Sequence, residues 1–333
     1  MKNETQTIAQ AQNDIFSILE HDILSSNAPE SEKVKMLRNL QHLKAQKLNL
    51  LITGATGVGK SSTINALFDT EVARVGTSPE PETMDIAKYE LGNLVIWDSP
   101  GLGDGKEADN RHAKGIISKL NELDQNGQPL IDVVLVLLDA GSRDMGTAFQ
   151  LINEIVIPNL GNQTDRLIVA LNQADMAMRG RHWDFEANRP QPPLSTFLDE
   201  KVTSVARRIK ESTGVSVEPM YFSAGYKEGY ECQHPYNLAK LLYFIVRNAP
   251  AEKRIVLVDT TNKQQEMWED NDELEDYIEE TRKTMWQSVT ECASKGVDIG
   301  GNIGGFFGET GRTIGKAIGG AVGAVVGFFS SFW

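Results

Sequence analysis

The nine residues GATGVGKSS, Gly54 to Ser62, hold three glycines, one lysine and two serines in the spacing G-x-x-x-x-G-K-[ST]. Glycines free the backbone to turn its N–H groups inward onto phosphate oxygens, and a helix that starts here adds partial positive charge. Gly54, Thr56, Gly57, Gly59, Lys60, Ser61 and Ser62 form the expected phosphate cradle. Lys60 is expected to reach β- and γ-phosphates and the Ser61 hydroxyl to ligate Mg²⁺. The apolar run LNLLIT (48–53) precedes the loop and STINALF follows it. Strand, loop and helix is the context such a cradle needs.

Three further clusters decide which nucleotide is held. Asp98-Ser99-Pro100-Gly101 ends an apolar run, where Asp98 is placed to hold Mg²⁺ through water and the Gly101 amide to meet a γ-phosphate. Asn172-Gln173-Ala174-Asp175 ends another. The Asp175 carboxylate there can accept hydrogen bonds from guanine N1 and its 2-amino group, a donor pattern adenine lacks. Ser223-Ala224-Gly225 offers backbone N–H groups to guanine O6. Thr83, in PEPETMDIAKYEL (79–91), is the expected Mg²⁺- and γ-phosphate-sensing residue, with Thr77 as the alternative. GLGDGKEADNRHA (101–113) reads as a mobile switch, because three glycines leave its backbone free.

This ordered set resembles the TRAFAC-class, Era/TrmE-like GTPases, particularly the YfjP/YeeP-type proteins also described as 50S ribosome-binding GTPase domain proteins, over about residues 47–250. The resemblance implies a GTP/GDP site with Mg²⁺, catalytic roles for Lys60, Thr83 and Gly101, and hydrolysis to GDP and phosphate. Two positions depart from better-known relatives. Leu102 stands where Ras-like switches carry a water-orienting glutamine, and leucine can neither donate nor accept a hydrogen bond. Gly57 stands where potassium-stimulated relatives carry asparagine. Leu102 implies slow turnover without an activator, Gly57 argues against potassium activation, and GxTGxGKSS looks more like dimerising GTPases, which favours a homodimer across the nucleotide face. Gln173 replaces the usual lysine beside the base. Arg143, or Arg179, Arg181, His182 and Trp183 after Asp175, are the side chains available to complete the site.

The elements that position these residues follow from pattern. Near-continuous apolar runs at 48–53, 94–99, 132–140, 166–172 and 219–225 predict strands buried on both faces, hence a doubly wound, mostly parallel α/β sheet between helices. DIAKYEL (85–91) alternates and reads as an edge strand. Residues 1–46 carry helical spacing twice, in Ile8 to Ile23 and in Val34 to Leu43, split by Asn27-Ala28-Pro29. Residues 262–295 predict one long helix with Leu274, Ile278, Thr281, Met285, Val289 and Cys292 on a stripe. Four regions result: an N-terminal helical segment (1–46), the G domain (47–250), an acidic helical segment (251–295) and a glycine-rich hydrophobic tail (296–333).

With 46 acidic against 33 basic residues the chain carries a net charge of −13, which disfavours a nucleic-acid platform. Two cysteines suggest no disulfide framework, and a polar N-terminus without an apolar signal core suggests the cytoplasm. The tail holds 12 of the 29 glycines, many four apart, and no charge from Ala317 to Trp333. Glycine at that phase lets helix backbones approach in a membrane or a tight bundle. Membrane attachment at the cytoplasmic face, a soluble packing element and a disordered tail are its three readings. A switch GTPase coupled to this C-terminal module is the function expected, with a ribosome- or RNA-associated Era-like GTPase as the alternative and a nucleotide-gated binding protein as a third.

Overall fold

The computed structural model describes residues 16–17, 19–68, 74–76, 86–103, 105–228 and 231–295. Seven strands form one sheet: β1 (Leu48–Gly54), β2 (Arg74–Gly76), β3 (Ala87–Leu91), β4 (Leu94–Asp98), β5 (Val133–Asp139), β6 (Leu167–Asn172) and β7 (Met220–Tyr221). Their order is β2-β3-β4-β1-β5-β6-β7. β4, β1, β5, β6 and β7 run parallel, and β3 and β2 are antiparallel additions. The longer helices are α1 (Glu30–Lys44), α2 (Lys60–Leu67), α3 (Lys106–Asn121), α4 (Pro192–Thr213), α5 (Leu238–Asn248) and α6 (Tyr277–Ala293). The expected α/β sheet with helices on both faces is what forms.

The strands are apolar throughout because both of their faces are covered. Leu48, Leu50 and Ile52 of β1, with Val133, Leu135 and Leu137 of β5, share one core with α1, α5 and α6. Leu51, Val134, Val136 and Leu138 point the other way, into a core with α3 and α4. The flanking N- and C-terminal helices therefore pack on the sheet itself. Asn39 of α1 donates to the carbonyls of Ala293 and Lys295, both at 3.0 Å, which pins the two helices together.

Three expectations need correction. DIAKYEL is not the edge strand: β3 lies between β4 and β2. Alternation marks one partly solvated face, which a strand paired on both sides can have just as an edge strand does. The last parallel strand, expected across 219–225, pairs only at Met220–Tyr221, and its continuation bends away to bridge Ser223 with Tyr236. Residues 262–295 are not one helix, since α6 begins only at Tyr277. The earlier part is turned by its own side chains: Asn271 accepts from Glu273 N at 2.8 Å and Asp272 from Leu274 N at 3.3 Å. Such local bonds compete with helix formation. Trp268, 1% exposed, anchors this segment in the core, and Leu274 is left 74% exposed outside the helix. Asp276 then caps α6 by accepting from Glu279 N at 3.0 Å. Residues 1–15, Thr77, Thr83 and the tail 296–333 lie outside the described residues, and among those described no helix is long and apolar enough to cross a membrane.

Candidate nucleotide site

Parallel strands end together, so loops far apart in sequence meet at the carboxyl edge of the sheet, where open α/β folds bind ligands. Gly54, Asp98, Asp139 and Asn172 are the last residues of β1, β4, β5 and β6. The cradle leaves β1 and turns into α2 through Gly59, whose φ of 87° suits glycine. A Cβ at Gly59 would also lie 2.4 Å from Asn172 Nδ2, so glycine is required twice over. Thr56, Gly57, Ser61 and Ser62 are exposed, whereas Val58 is buried as the anchor of the loop. Lys60 Nζ lies over the loop and donates to the carbonyls of Ala55 at 3.1 Å and Gly54 at 3.3 Å.

Asn172 organises the base side. Its amide nitrogen donates to Val58 O at 2.9 Å and its amide oxygen accepts from Ala224 N at 3.0 Å. One buried side chain thus ties the phosphate loop to the Ser223-Ala224 loop. Gln173, held at a positive φ of 61°, donates from its side chain to Gly57 O at 3.0 Å. It therefore bridges loops, a role that its replacement of lysine did not suggest. Ala174 N donates to Phe222 O at 3.1 Å, fixing the turn that carries the buried Asp175.

On the phosphate side, Asp98 ends β4 half-buried, and its Oδ1 has no hydrogen-bond partner among the described residues. Burial pushes the Asp98 carboxyl above its usual range, and the Lys60 ammonium pulls it partly back. A buried carboxylate oxygen without a donor has an unmet demand for positive charge. Asp98 with the exposed Ser61 hydroxyl is a hard-oxygen set that fits Mg²⁺. A Cβ on Gly101 would come within 2.3 Å of Thr56 Oγ1, so glycine alone lets this strand end approach the cradle. Leu102 is buried, with its side chain in the α3 core and away from the cradle.

The structure brings together Gly54 to Ser62, Asp98, Gly101, Asn172, Gln173, Asp175, Ser223 and Ala224 at one edge, while Thr83 and its alternative Thr77 fall outside the described residues. Arg143, Arg179, Arg181 and His182 are exposed at loops leaving that edge. Trp183 is buried edge-on against Tyr236, ring centroids 5.3 Å apart, and is structural. Two residues escaped the sequence reading. His112 is buried and meets Gly101 O at 3.0 Å. Its spacing of four with Ile116 and Leu120, a polar residue on an apolar stripe, was the signal available. Lys201 of α4 donates to the carbonyls of Ala140 at 2.5 Å and Ser142 at 2.6 Å, gathering the loop that presents Arg143. No spacing rule connects residues this far apart.

Sheet order, cradle and base-side loops define the class of fold: an α/β sheet of the P-loop G-domain kind. Residues 49–173 match the family model described as 50S ribosome-binding GTPase. Among curated proteins the chain is 34% identical over 103 residues to translocase of chloroplast 125 of Physcomitrium patens, covering 29% of this chain and 9% of that protein. It is 29% identical over 140 residues to the mitochondrial 5-taurinomethyluridine-[tRNA] synthase subunit GTPB3 of Mus musculus, covering 38% and 26%. The chain thus spans about a quarter or less of either relative's length. Toc33 from Arabidopsis thaliana, solved with Mg²⁺ and GMPPNP, is similar at 15% identity and a TM-score of 0.41, covering 81% of this chain and 95% of that one.

Proposed function

We propose that the chain hydrolyses GTP to GDP and phosphate and uses the cycle as a switch. In this reading the loop from Gly54 to Ser62 binds the phosphates through backbone N–H groups, and Lys60 neutralises the β- and γ-oxygens. Asp175 accepts from guanine N1 and the 2-amino group; the Ser223 and Ala224 N–H groups expected to meet O6 are instead donated to Tyr236 O and Asn172 Oδ1, so their loop flanks the base without reading O6 through them. Gly101 N–H meets the γ-phosphate. Ser61, Asp98 and Thr83 would hold Mg²⁺, which neutralises charge developing on the phosphates. The observation that carries the reading is the double hydrogen bond of Asn172, because it fixes the base-reading loops to the phosphate loop.

The test is nucleotide choice. Titrations of the full chain should give tight GTP and GDP binding and roughly 10⁴-fold weaker ATP binding, since a site built to accept two hydrogen bonds rejects a base that lacks them. Asp175→Asn should lose GTP and gain xanthosine triphosphate, whose C2 oxygen accepts what the new amide donates. Equal affinity of the wild type for ATP and GTP overturns the assignment.

Leu102 leaves attack by water without a positioning side chain, so turnover should be slow for an isolated chain. A second copy across the nucleotide face would complete the site. Support comes from exposed apolar residues on neighbouring loops, Met176, Met178, Phe185 and Tyr226, beside exposed Arg143, Arg179 and Arg181. Specific activity that stays flat across protein concentration, in wild type and in Arg143→Ala, ends this part of the proposal. The tail 296–333 is proposed to engage a membrane, to be tested by liposome flotation of the intact chain against one ending near residue 295. The family description favours a second reading, a ribosome-associated or Era-like GTPase, and nucleotide-dependent co-sedimentation with ribosomes separates the two.

A further inference from the structure

We infer that His112 is a positioning residue that aims the Gly101 amide, so that the site distinguishes GTP from GDP; this rests on the GTPase reading above. Residues 101–103 are latched from two sides. On the cradle side Leu102 N donates to Gly54 O at 3.3 Å and Leu102 O accepts from Thr56 N at 3.0 Å. On the helix side two residues of α3, one turn apart, take the flanking backbone groups. Asp109 Oδ1 accepts from Gly103 N at 2.8 Å, and His112 Nδ1 lies 3.0 Å from Gly101 O. A carbonyl oxygen only accepts, so Nδ1 carries the proton and donates.

Glycine by itself would leave this hinge loose. The peptide joining Gly101 to Leu102 is held at its oxygen by His112 and at its N–H by Gly54 O. Before it, the ring of Pro100 limits φ. With both neighbours fixed, the direction of the Gly101 N–H is set. His112 is 6% exposed, so little water competes for the bond. The bond acts on the one amide proposed to touch a phosphate that GDP lacks. Its loss should therefore weaken GTP selectively.

The experiment uses the full chain as wild type, His112→Ala and His112→Asn, whose amide nitrogen replaces Nδ1. It measures affinity for GDP, affinity for a non-hydrolysable GTP analogue and single-turnover hydrolysis at saturating GTP, with melting followed in parallel. One hydrogen bond contributes a factor of roughly 3–10. For His112→Ala, GDP affinity should stay within about twofold of wild type. The analogue-to-GDP affinity ratio and the hydrolysis rate should each fall roughly 3–10-fold, and His112→Asn should recover most of the loss.

Wild-type values in His112→Ala overturn the inference, as does an equal loss of GDP and analogue in a variant that melts normally. Should His112→Ala fail to fold, Asp109→Ala releases the other strap of the latch, and an analogue-to-GDP ratio equal to wild type there overturns it. A wild-type chain that binds but does not hydrolyse GTP ends the hydrolysis reading instead, and the affinity ratio then decides the role of His112.

Discussion

The two edges of the central sheet bury ionisable groups to opposite ends. At the amino edge Asp132, just before β5, accepts from Asn49 N at 2.8 Å and from Lys253 Nζ at 2.6 Å. Burial pushes its carboxyl up, and Lys253 and Asn49 pull it back. Charge and hydrogen-bonding capacity are met within the chain. At the carboxyl edge Asp98 faces the same desolvation with Oδ1 unpartnered among the described residues, and the Lys60 ammonium offsets it only in part. One edge spends its buried charge on holding the fold, whereas the other leaves demand for something brought from outside. That contrast marks the carboxyl edge as the candidate site on physical grounds, independent of any motif.

The largest effect expected from breaking the contrast is at the amino edge. Lys253→Met strands a carboxylate whose side chain is only 6% exposed. Removing one partner of such a pair costs roughly 3–5 kcal/mol. Denaturant unfolding should show that loss, while nucleotide affinity of the folded fraction stays at the wild-type value. A matching loss of affinity would mean that the edges are energetically coupled.

At the carboxyl edge the dissociation should reverse. Asp98→Asn should weaken Mg²⁺ dependence by roughly 10–100-fold, the cost of one charge-assisted contact, without lowering thermal stability. The pH dependence has a definite sign. Asp98 has a folded pKa raised above its unfolded value, so the folded state binds the proton more readily between the two. Its stability contribution is full below the unfolded value and is lost as pH rises through the folded one. Without nucleotide and Mg²⁺, stability should decline across that window in wild type and much less in Asp98→Asn. Apparent Mg²⁺ affinity should weaken as pH falls through the same window, because proton and metal compete for one carboxylate.

The carboxyl edge was the more legible from sequence. Phosphate and guanine recognition use short contiguous stretches, since a loop between a strand and a helix sets its own geometry, and Gly54–Ser62 and Asn172–Asp175 could be read directly. The amino-edge pair joins residues 132 and 253, whose meeting depends on the completed fold. Local chemistry also explains the misplaced helix. The stripe from Ile278 to Cys292 was real, but extending it back to 262 ignored Asn271 and Asp272, whose side chains turn their own backbone. The edge position expected for β3 failed because β2, three residues long, pairs outside it.

The smallest expected effect concerns Lys201, which behaves as an amino-edge residue placed at the carboxyl edge. Burial lowers its ammonium pKa, and Asp139 raises it only in part. Its donors are spent on backbone carbonyls of the loop after β5, so it supports that loop without facing the cradle. Lys201→Met keeps most of the packed stem and removes the charge, leaving two carbonyls to water. If Arg143 acts from this loop on a second copy, hydrolysis at high protein concentration should fall about threefold, the worth of roughly one hydrogen bond. GDP affinity should not move, because the base and phosphate loops are tied elsewhere by Asn172 and Gln173. A drop in GDP affinity equal to the drop in rate would instead make the loop part of nucleotide binding, and the boundary between holding the fold and meeting the ligand would then run inside α4.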